Sequence, residues 1–494
     1  MKRILIVVTA LLAYVHASAE IELPALLSDG MVLQRNSEVT LWGKANPRSR
    51  VTVRTSWNNC KKNITADSNG DWNTTVSTDE AGGPYSITIS DGRDSKITLK
   101  DVMLGEVWIC SGQSNMEMPV KGFVGQPVNE SEATIRECHA HPGIRIFNVK
   151  RHSTDTLQTD CKGKWLHPTP ENVAECSAVA YFFARELTDI LDVPIGIITS
   201  YWGGTMIETW MTKESILSID GIDKSIFKEV PEGPGPGKLY NGMINPLTRF
   251  TAKGFIWYQG ESNRYHPFDY SKLMSTMIKL WRTSWENNDM PFICAQLAQY
   301  RYDGAEYLCL PVLIEQQYKA ARSTPCTYVA PTTDLDSPSI IHPARKRQCG
   351  ERMAAIALKH CYGVNGLPGE SPEYSKMEID GNKVTLRFTN MAESEDWPTK
   401  GESFSWLDKD LKVIKVKGFE IAGEDRRFFP AKARLSWPVA DRIIVESDSV
   451  RTPVAVRYAF RNVIESNVTT VSGVPLTPFR TDDWEITPEM LRKE

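Results

Sequence analysis

Residues 106–116 read EVWICSGQSNM, in which a short apolar strand candidate leads directly into a polar loop. Three other apolar runs, at 195–199, 254–258 and 327–330, are closely followed by the polar motifs YWGGT, QGESN and TTDLD. In an open parallel sheet, ligands bind beyond the carboxyl ends of the strands. The four motifs are therefore predicted to line one cleft.

Helical patterns separate these strand candidates. Residues 178–191 place apolar side chains on one helical face, and 270–285 and 312–322 are further helix candidates around an apolar run at 292–297. Strands that alternate with helices indicate right-handed crossovers and a parallel sheet covered on both faces. The predicted fold class is α/β.

Short strands with β-branched alternation flank this region on both sides. Residues 37–42 and 85–89 show the pattern before it, and 376–388 resembles a hairpin after it. We predict an N-terminal β-sandwich region over 20–100, an α/β domain over 101–365 and a C-terminal β-rich region over 366–494.

The N-terminus has the pattern of a secretory signal peptide. A basic start, Met1-Lys2-Arg3, precedes an apolar run at 4–15 and an A-x-A-like site at 17–19. The run is shorter than the roughly 20 residues that a membrane span needs. We predict a signal peptide over 1–19 and a soluble exported chain without a membrane partner. Periplasmic and extracellular destinations are equally compatible with it.

Charge and cysteine usage narrow the classes of function. The formal net charge is −4 over 494 residues, so no basic field attracts nucleic acid. The 10 cysteines contain no C-x-x-C pair, and no histidine cluster has metal-ligand spacing. An even cysteine count in an exported chain permits disulfides, but their connectivity does not follow from spacing.

Ser114 and His342 are the candidate nucleophile and base. A hydroxyl nucleophile needs a base within hydrogen-bond reach and donors aimed at the developing oxyanion. Gly112 permits a tight turn that presents Ser114, and His342 is the only histidine in the four strand-end loops. Taken singly, Ser114 could cap a helical turn and His342 could be a surface histidine. Their joint arrangement favours a catalytic pair.

Other polar groups of the same loops are candidate oxyanion donors. Gly204 can offer a backbone N–H without a side chain in the way, although an isolated Gly-Gly pair is more often only a turn. Gln259 and Asn263 can offer side-chain amides. We interpret Glu261, between them in the sequence, as a structural hydrogen-bond acceptor.

In these motifs the sequence resembles the sialate O-acetylesterase family, a branch of the SGNH hydrolases. The resemblance covers nearly the whole mature chain and includes the stretches 105–116, 194–210, 239–244, 257–263, 341–343, 456–459 and 478–482. The GQSNM and YQGESN blocks are highly specific when found together in this order. The resemblance implies an SGNH-type α/β/α domain flanked by β-sandwich regions. It also implies hydrolysis of acyl esters on acetylated sugars, with no metal or organic cofactor.

Carried over by position, the resemblance makes Ser114 the nucleophile and His342 the general base. The amides of Ser114 and Gly204 become oxyanion donors. Gln259, in preference to Asn263, takes the place of the third-block Asn of other SGNH enzymes.

The acid that orients His342 is open at the level of sequence. SGNH hydrolases usually place an Asp three residues before the histidine, and this chain has Ser339 there. Asp334 and Asp336 lie in the same loop, and a backbone carbonyl in this role would leave a Ser–His dyad. We predict Asp334, because it directly follows Thr332-Thr333 at the strand end.

The predicted function is that of a serine esterase that removes acetyl groups from sugars, O-acetylated sialic acids above all, through an acetyl-enzyme. A sialoglycan substrate carries a carboxylate, so its cleft needs a cation. Arg264 directly follows the QGESN motif and is the candidate, with Asn263 as a second substrate-binding residue. A solvated surface Arg is the alternative. The alternative functions are an acetyl xylan esterase and a non-catalytic carbohydrate-binding protein.

Overall fold

The computed structural model describes residues 21–92, 95–222, 233–335, 338–389, 391 and 402–492. The predicted signal peptide and Asp336 lie outside the described residues. Within the described ranges, no helix is long and apolar enough to cross a membrane. The ten cysteines all lie in these ranges and are free thiols.

Strands fill the N-terminal region, as the alternation predicts. They are β1 (Val32–Gln34), β2 (Glu38–Lys44), β3 (Arg50–Thr55), β4 (Lys61–Thr65), β5 (Asp71–Ser77) and β6 (Gly82–Ser90). Strand β2 pairs with β5, while β3 lies between β4 and β6. Their alternate side chains are buried because one face of each strand packs into the core.

The long strand β7 (Lys96–Gly112) connects this region to the central sheet. Its first half pairs antiparallel with β6, and its second half pairs in parallel with two strands of the central sheet. The strand therefore runs through residue 100, and one hydrophobic core includes side chains from both sides of that position. How the chain divides into domains stays a prediction.

The central sheet has the parallel arrangement that the sequence predicts. It continues with β8 (Ile144–Asn148), β9 (Trp165–Leu166), β10 (Ile195–Tyr201), β11 (Gly254–Tyr258), β12 (Phe292–Ala295) and β13 (Thr327–Ala330). The strand order is β13-β12-β11-β7-β10-β8-β9, with β9 antiparallel at the edge. The strands next to β7 are buried along their whole length, as expected for a parallel sheet covered by helices.

Helices connect these strands. They are α1 (Ser114–Glu117), α2 (Ser131–Arg136), α3 (Pro170–Glu175), α4 (Ala178–Leu191), α5 (Lys213–Leu217), α6 (Tyr270–Ser284), α7 (Cys309–Ser323) and α8 (Lys346–Tyr362). Helix α4 packs against α8, and α6 packs against α7. The helices predicted at 178–191, 270–285 and 312–322 are confirmed as α4, α6 and α7. Helix α8 was not predicted.

The C-terminal region forms two four-stranded antiparallel sheets around a separate core. Its elements are β14 (Tyr374–Asp380), β15 (Lys383–Phe388), β16 (Phe419–Ala422), β17 (Phe428–Pro430), β18 (Lys432–Leu435), β19 (Arg442–Glu446), β20 (Ala455–Tyr458), β21 (Phe479–Arg480) and the short helix α9 (Pro488–Leu491). Strands β14 and β15 pair as the predicted hairpin. The α/β fold with β-sheet regions on both sides is confirmed.

Candidate active site

The carboxyl ends of three adjacent strands are level with one another. Gly112 at the end of β7 is the register partner of Tyr201 on β10 and of Tyr258 on β11. The loops that follow therefore begin side by side at one edge of the sheet, which is where ligands bind in such folds.

Gly112 makes the turn that presents Ser114. Its φ is +141°, and an added Cβ would lie 2.2 Å from the carbonyl oxygen of Tyr258. The same carbonyl accepts the backbone N–H of Gln113 at 3.0 Å. Only glycine fits such a conformation and such a close approach, so the chain leaves the sheet here and begins α1 at Ser114.

The structure brings Ser114 and His342 together across 228 positions of sequence. The Oγ of Ser114 lies 2.8 Å from Nε2 of His342. This is the hydrogen-bond reach that a nucleophile and its general base require. The other ring nitrogen of His342, Nδ1, lies 2.7 Å from Oε1 of Gln126.

The surroundings of His342 keep its imidazole neutral. Burial, and in addition the positive charge of Lys346, lowers the pKa of His342 from its ordinary 6.5 to about 4. The ring of Phe123 packs edge-on against the imidazole at a centroid distance of 5.2 Å. A neutral imidazole is the form that accepts a proton, so the base is available even in mildly acidic solution.

We expect the acidic limb of kcat/KM to be centred near pH 4, since the pKa of the base is lowered to about 4. Activity is lost as pH falls through this value, because protonation removes the lone pair on Nε2. It is full at neutral pH. Initial rates on a small acetyl ester between pH 3.5 and 8, with unfolding followed in parallel, test the profile. A limb centred near 6.5 would contradict the lowered pKa.

Asp334 does not reach His342. Its two carboxylate oxygens accept hydrogen bonds from the guanidinium of Arg352 at 2.6 and 2.8 Å. Arg352 lies on α8 and offers two parallel N–H donors that match a carboxylate. This pairing draws Asp334 toward α8, which corrects the predicted role of Asp334 as the acid that orients His342. Ser339 is exposed and makes no hydrogen bond to the imidazole.

Asp334→Asn is expected to change stability rather than chemistry. It leaves the largely buried Arg352 with a weaker partner, so the free energy of unfolding should fall by about 1–3 kcal/mol. The rate constant kcat should change by less than about tenfold, whereas loss of an orienting carboxylate can cost about ten-thousandfold. Chemical denaturation and steady-state kinetics measure the two effects. A folded variant with a thousandfold lower kcat would return Asp334 to the catalytic group.

Two backbone amides beside Ser114 have no acceptor among the described residues. The Gly203-Gly204 turn packs on Ser114, because a Cβ added to Gly203 would lie 3.2 Å from Cβ of Ser114. The Gly203 N–H donates to Oε2 of Glu117 at 2.6 Å, which holds the turn in place. Within the described ranges, neither the Ser114 amide nor the Gly204 amide donates to a protein acceptor. Gly204 has a φ of +77° and open space around it. Both amides are available to an oxyanion.

Gln259 is not available as a third donor. It is completely buried, and its Nε2 donates to the carbonyl oxygen of Thr205 at 3.0 Å and to Oδ1 of Asn263 at 2.7 Å. Its Oε1 accepts the hydroxyl of Tyr270 at 2.9 Å. Both amide hydrogens are used inside the protein, so the predicted oxyanion role of Gln259 is corrected to a structural one.

Asn263 is likewise bonded to the protein. Its Nδ2 donates to Oε2 of Glu208 at 2.9 Å, and its Oδ1 accepts the N–H of Ile207 at 3.0 Å as well as the Gln259 amide. The side chain is buried and has no free acceptor. Asn263 therefore joins the loops after β10 and β11, and its contact with a substrate stays a prediction.

Arg264 is partly buried beside two tyrosines. Its guanidinium lies 4.0 Å from the ring centroid of Tyr265 and 5.1 Å from that of Tyr302. It donates to the Tyr265 hydroxyl and to the carbonyl oxygen of Glu261, the latter at 3.3 Å. It makes no hydrogen bond to Ser114 or His342, so its contact with a substrate stays a prediction.

A buried polar network below the catalytic pair was not predicted. Asn115 donates to Oε1 of Glu261 and, at 3.1 Å, to the carbonyl oxygen of Ile341, while its Oδ1 accepts Nζ of Lys346. The pKa of Lys346 is lowered to about 8, chiefly by burial, and burial raises the pKa of Glu261. Asn115 directly follows Ser114, and Ile341 directly precedes His342. The hydrogen bond between them therefore links the segments that carry Ser114 and His342. Glu261 is confirmed as a structural acceptor.

A serine–histidine pair on the carboxyl edge of a parallel sheet, with two unpaired amides beside the serine, defines a serine hydrolase of the SGNH type. Among the described residues, no group of three or more His, Cys, Asp or Glu side chains is arranged to hold a metal ion.

Comparison with known proteins gives the family. The profile described as carbohydrate esterase, sialic acid-specific acetylesterase, matches residues 104–359. The sialate O-acetylesterase of Pongo abelii is 30% identical over 473 residues, covering 88% of this chain and 86% of that protein. The sialate O-acetylesterase of Homo sapiens is 30% identical over 459 residues, covering 83% and 86%.

A solved structure agrees with these matches. The crystal structure of a carbohydrate acetylesterase from Xanthomonas citri is 33% identical, has a TM-score of 0.82 and covers 94% of this chain and 100% of its own. The chain belongs to the sialic acid-specific acetylesterase family of carbohydrate esterases. It is a carboxylic ester hydrolase.

Proposed function

We propose that the protein hydrolyses O-acetyl esters on sugars, with O-acetylated sialic acids as its substrates, through an acetyl-enzyme on Ser114. The observation that carries the mechanism is the 2.8 Å contact between Oγ of Ser114 and Nε2 of His342. The family description and the two relatives named sialate O-acetylesterase support the substrate class.

The reaction follows from this geometry in two halves. His342 takes the proton of the Ser114 hydroxyl while Oγ attacks the acetyl carbonyl, and the amides of Ser114 and Gly204 bind the oxyanion. The C–O bond to the sugar breaks, and the imidazolium returns its proton to the sugar oxygen. A water molecule then gives a proton to His342 and attacks the acetyl-enzyme. The ester bond to Oγ breaks, the imidazolium returns its proton to Oγ, and acetate leaves.

Labelling with a fluorophosphonate tests the nucleophile. The probe should form a covalent adduct on the peptide that contains Ser114, located by mass spectrometry, because it reacts with a serine activated by a base. His342→Ala should label far more slowly, since Oγ then keeps its proton. A wild-type protein that stays unlabelled would favour a carbohydrate-binding protein without catalysis.

Two cations near the site are candidates for the sialate carboxylate. Arg264 is the one predicted from sequence. Arg151 is the second: its guanidinium lies 5.0 Å from the ring centroid of Trp202, and it donates to Glu117, which holds the Gly203 N–H. Arginine suits a carboxylate because its planar guanidinium offers two parallel N–H groups.

Acetate release from O-acetylated sialic acid and from acetylated xylan tests the substrate class. The wild-type ratio of kcat/KM should favour the sialic acid, and Arg264→Ala or Arg151→Ala should lower that ratio by about tenfold or more. Arg322→Ala is the matched control, because Arg322 lies in the last turn of α7, at the amino edge of the sheet, and pairs with Glu373. A wild-type preference for xylan would replace the sialate by a neutral sugar.

Export is part of the same proposal. The basic start, the apolar run and the A-x-A-like site of residues 1–19 support it. Expression of the full chain followed by N-terminal sequencing of the mature protein should find Glu20 as the first residue. Recovery of the intact N-terminus in the cell interior would contradict export.

A further inference from the structure

We propose that Gln126 positions His342 by accepting its Nδ1–H, so that a neutral amide stands where serine hydrolases usually have a carboxylate. This assignment rests on the proposed roles of Ser114 and His342. It makes the catalytic group a Ser–His–Gln arrangement in which the third residue sets the tautomer of the imidazole without adding a charge.

The two hydrogen bonds of the imidazole define its useful tautomer. Oε1 of Gln126 lies 2.7 Å from Nδ1, and Oγ of Ser114 lies 2.8 Å from Nε2. An amide oxygen only accepts hydrogen bonds, so Nδ1 carries the ring proton and Nε2 keeps its lone pair toward the serine hydroxyl. The opposite tautomer would place a proton on Nε2 and remove the base.

Gln126 is held in position by a tight turn. The backbone groups of Phe123 and Gln126 bond reciprocally, at 3.0 and 2.9 Å. Gly125 has a φ of +72°, and a Cβ added to Gly122 would lie 2.5 Å from the carbonyl oxygen of Gln126. The same turn places the Phe123 ring against the imidazole. One short segment therefore supplies both a hydrogen bond and an apolar wall.

The turn is also tied to the segment that carries His342. The backbone N–H of Asn129 donates to the carbonyl oxygen of Ala344 at 2.9 Å. Because Ala344 follows His342 by two residues, this bond limits how far Gln126 and the imidazole can move apart.

No carboxylate in the described part of the chain bonds to the imidazole. Asp334 is paired with Arg352. Lys346 on α8, Glu261 in the loop after β11 and Glu117 on α1 are charged side chains of the elements around the ring. Glu261 is bonded to Asn115, and Glu117 to the Gly203 N–H and Arg151. Among the described residues, the Gln126 amide dipole is therefore the group at Nδ1 that stabilises the imidazolium formed during attack.

The decisive variant is Gln126→Glu. A carboxylate next to Nδ1 favours the imidazolium, so the acidic limb of kcat/KM should move to higher pH by about 1–3 units. Val124→Glu is the matched control, because Val124 is fully exposed at the tip of the same turn. It adds the same charge without the contact and should move the limb by well under one unit, since solvent screens exposed charges.

Gln126→Leu tests the hydrogen bond itself. It removes the acceptor at similar size, so kcat should fall by about 10- to 150-fold. Gln126→Glu, assayed above its shifted limb, should retain the activity that Gln126→Leu loses. Circular dichroism confirms folding. Should the leucine variant fail to fold, the pH shift in Gln126→Glu relative to Val124→Glu decides the matter.

An unshifted limb in Gln126→Glu, or wild-type kcat in Gln126→Leu, would overturn the positioning role. That result differs from a failure of the proposed function, which Ser114→Ala reports independently. If Ser114→Ala is inactive while the Gln126 variants behave as wild type, only the role of Gln126 is lost. If Ser114→Ala is active, the proposed catalytic pair is lost.

Discussion

Ser114→Ala is expected to lower kcat for acetyl-ester hydrolysis by about a thousandfold or more. The covalent route disappears with Oγ, and the remaining rate comes from the amides of Ser114 and Gly204 and from substrate binding. The fold should survive, because the hydroxyl of Ser114 makes its hydrogen bond to His342 and to no other side chain in the described structure.

Steady-state hydrolysis of a small acetyl ester, with circular dichroism as a check on folding, measures the loss. Ser262→Ala is the matched control, since Ser262 also follows a strand end, in the QGESN motif, and its hydroxyl contacts neither Ser114 nor His342. It should retain wild-type kcat. Wild-type turnover in Ser114→Ala, or a thousandfold loss in Ser262→Ala, would move the nucleophile away from Ser114.

The parts of the fold that the sequence predicts well are those in which hydrophobicity alone determines burial. Strands β11 and β13 and helix α4 have the predicted bounds. The two strands are short apolar runs and the helix has one apolar face, so in each the hydrophobic pattern and the burial coincide. Elements with such local patterns can be predicted without information about residues distant in sequence.

Helix α8 and strand β8 escaped prediction because they bury charged residues. Lys346 and Arg352 lie on the buried side of α8, where they bond to Asn115 and Asp334. Gly350 packs so close to α4 that an added Cβ would lie 2.7 Å from the Val179 carbonyl oxygen. In β8, Arg145 is buried and pairs with Asp101. Partners distant in sequence compensate these charges, and the hydrophobic periodicity of a segment does not reveal such partners.

Contacts between residues distant in sequence, which the sequence does not show, also explain the corrected site residues. Gln259 and Asn263 lie in a strand-end loop, as substrate-binding amides would, but loops also need such groups to bond to one another. Gln126, in contrast, was not predicted as a site residue although it contacts the imidazole of His342. It has no distinguishing sequence pattern, and it contacts His342 across 216 positions. Strand-end position therefore singled out Ser114 and His342, which the structure brings together, but not Gln126, which contacts the imidazole.

The second large effect is expected for His342. His342→Ala should lower kcat by an amount comparable with Ser114→Ala, because the serine hydroxyl then has no base at 2.8 Å. The acidic limb of the pH profile should disappear with it, since the group that titrates at about pH 4 is gone. Rates between pH 3.5 and 8 on the folded variant test both expectations. A limb that persists at pH 4 would assign that titration to another group.

The double variant Ser114→Ala/His342→Ala shows whether the two residues act as one unit. Once Oγ is absent, the imidazole has no proton to take, so removing it as well should cost little more than either single change. The expected loss in kcat for the double variant is therefore about equal to the larger single loss, measured with the same ester and at the same pH. Independent residues would instead multiply their effects. A double variant whose loss equals the product of the two single losses would show that Ser114 and His342 contribute separately, despite the short distance between Oγ and Nε2.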